Sequence, residues 1–213
     1  MTTLLLAGGT GLVGSAVLEL ALADTRVASV IAPTRLALAP HRKLHNPLLL
    51  DLGAFDEQAL PLRVDSVICA LGTTMRQSGS RDQFRRVDFE YPMRIARIAY
   101  LHGASTFVLT SASGASTRSP VFYTRTKGQL ERALAGIGYP SLTFVRPGLL
   151  LGDRPQRRTG EALAAHVLGA VAPLLPRRLR PVLALSVARA LLAAALAAKP
   201  GLHVIESESI ATD

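Results

Sequence analysis

Tryptophan is absent from this 213-residue chain, cysteine occurs once, and aromatic residues make up only 5% of it. A lone Cys69 excludes a disulfide framework, fits a reducing compartment and gives a zinc site nothing to build on. The histidines, His41, His45, His102, His166 and His203, fall at no metal-ligand spacing, so no metal is expected. Lysine is scarce as well: Lys43, Lys127 and Lys199 are the three among 24 basic residues, the rest being arginine. The formal charge of +9 is spread along the chain, without a basic run of five or interleaved aromatics, so no nucleic-acid partner is expected. Long hydrophobic runs are missing too. Val182 to Ala198 is the most apolar stretch, but it holds Arg189 and is bordered by Pro181 and Pro200, which suits a buried helix better than a membrane span. No charged region precedes the apolar N-terminus, so it does not read as a signal peptide and a cytoplasmic protein is the expectation.

What the chain does contain is enough apolar residue, 49%, to build one core, and too little charge, 18%, for intrinsic disorder. Its length suits a single domain over residues 1–213. Short β-rich runs are expected at Thr3–Ala7, Val27–Ala32, Leu48–Leu52, Asp65–Leu71, Thr106–Thr110, Ser141–Val145 and Leu202–Ile205. Helical spacing lies between them at Ser15–Ala23, Phe84–His102, Tyr123–Ala135, about 160 to 172 and about 185 to 198, with a loop at 34–47. Strands alternating with helices predict an α/β fold, a doubly wound parallel sheet covered on both faces. Ligands of such sheets bind beyond the carboxyl ends of the strands.

The distinctive residues fall at those ends. Gly8, Gly11 and Gly14 follow the first strand and open the first helix. A pyrophosphate needs backbone N–H groups aimed at it, no side chain in the way, and the positive end of a helix dipole. The alternative is a tight strand-to-helix turn with no ligand. After the second strand stands Arg35, and no acid follows before Asp51. An acid there would bind the ribose hydroxyls of NAD, whereas an arginine accommodates the extra phosphate of NADP. NADP is therefore expected over NAD. Asp51 could accept from an adenine amino group or merely cap the next turn, and Gly72 ends the fourth strand where a side chain would crowd a nucleotide.

Tyr123 and Lys127 are four apart and so share one helix face. An ammonium beside a phenol favours the phenolate, which lets a tyrosine exchange a proton with a carbinol oxygen near neutral pH. With four tyrosines and three lysines, chance supplies roughly 0.06 such pairs, so the spacing is informative. The fifth strand closes on Thr110-Ser111-Ala112-Ser113-Gly114-Ala115, where either Ser111 or Ser113 could orient a carbonyl for hydride attack.

The glycine-rich turn, a serine after the fifth strand and Tyr-x-x-x-Lys together resemble the short-chain dehydrogenase/reductase superfamily. The G-x-x-G-x-x-G spacing, Cys69 to Thr74, Thr110-Ser111 with Gly114-Ala115, Tyr123 to Gly128 and Arg146 to Gly152 are similar to its atypical branch. That branch holds NAD(P)H-binding proteins related to the Tat-interacting metastasis suppressor. The similarity covers about residues 3 to 155. It implies a Rossmann-like fold with NADP(H) along Gly8, Thr10, Gly11, Leu12, Val13, Gly14, Arg35, Asp51, Leu52, Leu71, Gly72, Thr73 and Pro147. It further implies Ser111, Tyr123 and Lys127 as the reductase set, with Lys127 also holding the nicotinamide ribose and Arg146-Pro147-Gly148 lining the nicotinamide end. Residues 155 to 185 are left for a small substrate-side segment.

The expected function is NADP(H)-dependent reduction of a carbonyl on a small apolar substrate. The rival is an NAD(P)H-binding regulator that presents a surface to a protein partner or a second copy. Neither serine lies in G-x-S-x-G, and the glycine turn lacks a Gly-Lys-Ser/Thr ending, so a hydrolase and a nucleotide triphosphatase are both disfavoured.

Overall fold

The computed structural model describes residues 1–56, 60, 63–151 and 181–210. The chain opens with β1 (Thr2–Ala7), α1 (Leu12–Ala23), β2 (Val27–Ile31) and β3 (Leu44–His45). There follow β4 (Ser66–Cys69), α2 (Met75–Ser78), α3 (Arg81–Arg85), a π turn (Arg86–Glu90) and α4 (Tyr91–Leu101). Next come β5 (Thr106–Thr110), α5 (Phe122–Ala135), β6 (Ser141–Arg146) and β7 (Leu150–Leu151). The last elements are β8 (Val182–Leu183), α6 (Ala184–Ala197) and β9 (Gly201–Glu206). The helix expected at about 160 to 172, and residues 155 to 180 of the substrate-side segment, lie outside the described residues.

Seven strands form one parallel sheet in the order β3-β2-β1-β4-β5-β6-β9, and β7 pairs with β8 apart from it. The order reverses between β1 and β4, which opens a crevice at the carboxyl ends of those two strands. Alternation along the strands divides the core in two. Leu5, Ala7, Val67, Cys69, Phe107, Leu109 and Phe144 face α4 and α5, while Leu4, Leu6, Ile68, Val108 and Val145 face α1 and α6. The strands are buried on both sides, as a parallel sheet with helices on each face requires. This is a Rossmann-like doubly wound fold. Among the described residues, no helix is long and apolar enough to cross a membrane.

Two expectations are corrected. The third strand is Leu44–His45, inside the stretch read as a loop, and not Leu48–Leu52. Pro47 has no N–H to donate, so beyond His45 only an isolated bridge joins Thr34 and Leu48. Asn46 fastens this stretch through its side chain, donating to the Ala32 carbonyl at 2.6 Å and to Thr34 Oγ1 at 2.7 Å. Asp51 then caps a single 3-10 turn at Leu52–Ala54. The second correction concerns Phe84–His102, which is not one regular helix. The π turn at Arg86–Glu90 interrupts it and carries a fully buried acid, Asp88.

Candidate active site

The glycine turn is built by close backbone approach. Gly8 has φ of 89°, and a Cβ on it would lie 2.8 Å from the Ala70 carbonyl oxygen of the neighbouring strand end. A Cβ on Gly14 would lie 1.9 Å from the Gly8 carbonyl oxygen, so α1 can start there only with glycine. Gly11 is the N-cap of α1 and supplies no side-chain cap, which leaves the first N–H groups of the helix directed outward beside exposed Thr10. Leu12 is half-buried and Val13 is buried against the sheet.

Across the crevice, Leu71 packs on the core while Gly72 is exposed. A Cβ on Gly72 would meet nothing closer than Asp88 Oδ1 at 3.5 Å and Lys127 Nζ at 3.7 Å, both ordinary contacts. The protein itself therefore does not require glycine here, and the bare backbone leaves room for something else. Thr73 follows, its amide donating to Asp88 Oδ2 at 2.8 Å.

Tyr123 lies in the first turn of α5, half-buried, with its ring 5.5 Å from that of Phe84. One turn on, Lys127 is 2% exposed and its Nζ lies 2.7 Å from Asp88 Oδ1. Burial works against the Lys127 ammonium, but Asp88, with a contribution from Tyr123, holds it above the usual lysine range. Cys69, buried beneath them, has its thiol pushed up to about 11 by burial and stays neutral. Gly128 continues the helix where a Cβ would lie 2.3 Å from the Ser116 backbone, so α5 and the turn after β5 touch main chain to main chain.

That turn carries the two serines. Ser111 is 3% exposed and its Oγ donates to Glu131 Oε1 at 2.6 Å. Glu131 stands one turn beyond Lys127 and also receives Arg146, from Nε at 2.9 Å and from Nη2 at 2.6 Å. The third arm of Arg146 reaches Glu206 at 2.8 Å, and the two carboxylates hold its guanidinium still further above its ordinary range. Arg146, implied at the nicotinamide end, is thus committed to two carboxylates. Ser113 is half-buried, and its amide donates to the carbonyl of buried Pro147 at 2.9 Å.

The remaining expected residues, Arg35, Asp51 and Leu52, come between β2 and β4 in the chain. Arg35 is exposed on the loop after β2. Asp51 accepts from the Gly53 amide at 2.8 Å, from the Tyr91 hydroxyl and from Arg86 at 2.6 Å. The Tyr91 bond, then the Gly53 amide, hold its carboxyl below the usual range, while burial and Asp51 push the Tyr91 phenol up. Leu52 is half-buried in the turn that Asp51 caps. Asp88, Glu131, Arg86 and Tyr91 went unmarked in the sequence. Two of them carried a signal: Asp88 falls four after Phe84 and Glu131 four after Lys127, each an acid on a face that is otherwise buried.

Comparison with known proteins agrees with this geometry. The profile of the NAD dependent epimerase/dehydratase family matches residues 4–129. The chain belongs to that family. Protein fmp52 of Emericella nidulans, named as mitochondrial, is 32% identical over 178 residues, 80% of this chain and 76% of that protein. Protein HTATIP2 of Rattus norvegicus is 32% identical over 168 residues, 77% of this chain and 69% of that one. A short chain dehydrogenase family protein from Francisella tularensis has a similar fold, with a TM-score of 0.72 at 16% identity over 98% of both chains. MoeE5, solved with UDP-glucose and NAD, has a TM-score of 0.73 at 19% identity over 96% of this chain and 75% of that one. The likeness to the atypical short-chain dehydrogenase/reductase branch is therefore confirmed. The cytoplasmic expectation is overturned, since several FMP52 relatives are named as mitochondrial. A single Cys69 that fits a reducing compartment does not separate the cytoplasm from other compartments that keep thiols reduced.

Proposed function

We propose that this family member is an NADP(H)-dependent oxidoreductase that reduces a carbonyl on a small apolar substrate. The observation that carries the reading is the charged, buried Lys127 one turn from Tyr123, directly behind the bare backbone of Gly72. The fit to a dinucleotide rests on the two sides of the crevice. Gly8, Gly11 and Gly14 present uncapped helix N–H groups for a pyrophosphate, with Thr10, Leu12 and Val13 forming that turn. Arg35 would take a ribose phosphate, Asp51 and Leu52 the adenine end, and Leu71, Gly72, Thr73 and Pro147 the nicotinamide end.

When bound, the cofactor supplies the hydride. Tyr123 gives its phenolic proton to the carbonyl oxygen, and the Lys127 ammonium stabilises the phenolate left behind. A serine hydroxyl of the turn after β5 orients the carbonyl. Ser111 is the residue matched to that role, with Ser113 the other serine of the turn, and the Ser111 proton is given to Glu131. The same commitment of Ser111 favours the second reading, a cofactor-binding regulator with no turnover.

Titration of the protein with NADPH and NADH, followed by a carbonyl panel with NADPH, separates the two. Under the enzyme reading Tyr123→Phe keeps NADPH affinity within about twofold and abolishes oxidation of NADPH. A substrate still turned over by that variant would defeat the mechanism. Tight NADPH binding with no oxidation by any carbonyl would favour the regulator.

A further inference from the structure

We propose that Asp88 is a positioning residue for the Tyr123–Lys127 pair: it pins the Lys127 ammonium behind Gly72 and keeps it charged. The proposal deepens the reading above and rests on it for its catalytic meaning. Its physical basis is independent of that reading. Lys127 is 2% exposed and Asp88 fully buried, so each charge has lost its water. A buried lysine without a partner gives up its proton, because desolvation penalises only the charged form. The described titratable groups that face Lys127 are Asp88 from the π turn, Cys69 from β4 and Tyr123 from its own helix. Cys69 is held neutral by its burial and Tyr123 is the proposed proton donor, so Asp88 is the one standing anion among them.

Asp88 is itself fixed from two directions. It sits fully buried within the π turn, and the Thr73 amide donates to Oδ2, which leaves Oδ1 for the ammonium. Packing alone does not account for this arrangement. Apolar side chains of similar volume stabilise an interior at least as well as a buried ion pair. An ammonium that lies 3.7 Å from where a Cβ on Gly72 would sit is one methyl group away from the open crevice. Its charge is therefore felt there.

The three lysines make the test direct, since protein grown on 13C,15N-lysine gives three side-chain signals and Lys127→Arg assigns the one that matters. In the wild type the Lys127 signal is expected to remain that of an ammonium past pH 10. In Asp88→Asn, which keeps the volume and the bond to the Thr73 amide, its titration midpoint should fall by at least about 1.5 pH units. Asp88→Ser should do the same, and covers the case in which the asparagine variant does not fold. Asp88→Glu should restore part of the loss. A midpoint unmoved in both neutral variants would overturn the proposal. As a second readout, NADPH affinity of Asp88→Asn should weaken about tenfold between pH about 7 and 10 while that of the wild type changes far less; parallel profiles would also overturn it. Failure of the wild type to bind NADPH defeats the proposed function, and the lysine titration still decides the role of Asp88.

Discussion

Single residues divide by what their surroundings demand. Gly14 and Gly72 are both glycines of the expected nucleotide site, yet a Cβ on the first collides with backbone at 1.9 Å and on the second touches side chains at ordinary distance. Gly72→Ala should therefore leave thermal stability nearly unchanged while weakening NADPH binding at least about tenfold, as calorimetry and a fluorescence titration would show. Loss of stability without loss of binding would make Gly72 a folding residue only. Arg35 is a solvated side chain whose proposed partner is a phosphate. Arg35→Ala should weaken NADPH about tenfold or more and NADH hardly at all, and equal losses would remove the phosphate role. Both glycines were visible in the sequence, because a glycine motif is a local pattern. Their different reasons for being glycine were not, because Gly14 answers to the Gly8 carbonyl folded back over the helix start and Gly72 to Asp88 and Lys127 arriving from elsewhere in the chain.

Elements meet at the carboxyl edge of the sheet through one buried polar cluster. Glu131 of α5 takes hydrogen bonds from Ser111 after β5 and from Arg146 of β6, which also holds Glu206 of β9. Glu131 is 6% exposed, so Glu131→Ala leaves the buried Ser111 hydroxyl without its acceptor and Arg146 with Glu206 alone, and should cost about 3 kcal/mol in chemical denaturation. Glu206 has 43% of its side chain exposed, and Glu206→Ala should cost at most about 1 kcal/mol. Comparable losses for the two would show that the cluster does not act as described. The sequence marked Ser111 and Arg146 as ligand-facing groups; the structure gives both to Glu131. Spacing within a strand-end motif shows that polar side chains gather there but not which way each one turns.

At the scale of the molecule, two core layers flank the seven-stranded sheet among the described residues, and the α4–α5 layer carries groups that set the alkaline limit. Tyr139 is 7% exposed and donates its hydroxyl to the Ala96 carbonyl at 2.6 Å, tying the approach to β6 onto α4. Burial pushes its phenol well above the ordinary range. A raised folded-state pKa favours the protonated form, so this contribution is complete below pH about 10 and is lost as pH rises beyond it. Lys127, also raised, acts in the same direction. Melting temperature should therefore decline above pH 10, and Tyr139→Phe should flatten that decline at a cost of about 1 kcal/mol at neutral pH. An unchanged alkaline decline in the variant would locate its cause elsewhere.

The sequence by itself determined the fold class, the glycine turn and the Tyr123–Lys127 pair, since each is written in residues within a turn or two of one another. Tertiary structure alone decided that Lys127 is held by Asp88, which stands 39 positions earlier on another helix. It likewise decided that Ser111 gives its proton to Glu131, and that the third strand forms at Leu44–His45. Local periodicity fixes which face a residue takes. The partner it meets across that face depends on how distant segments pack, and at a buried site the partner settles whether a side chain keeps its charge.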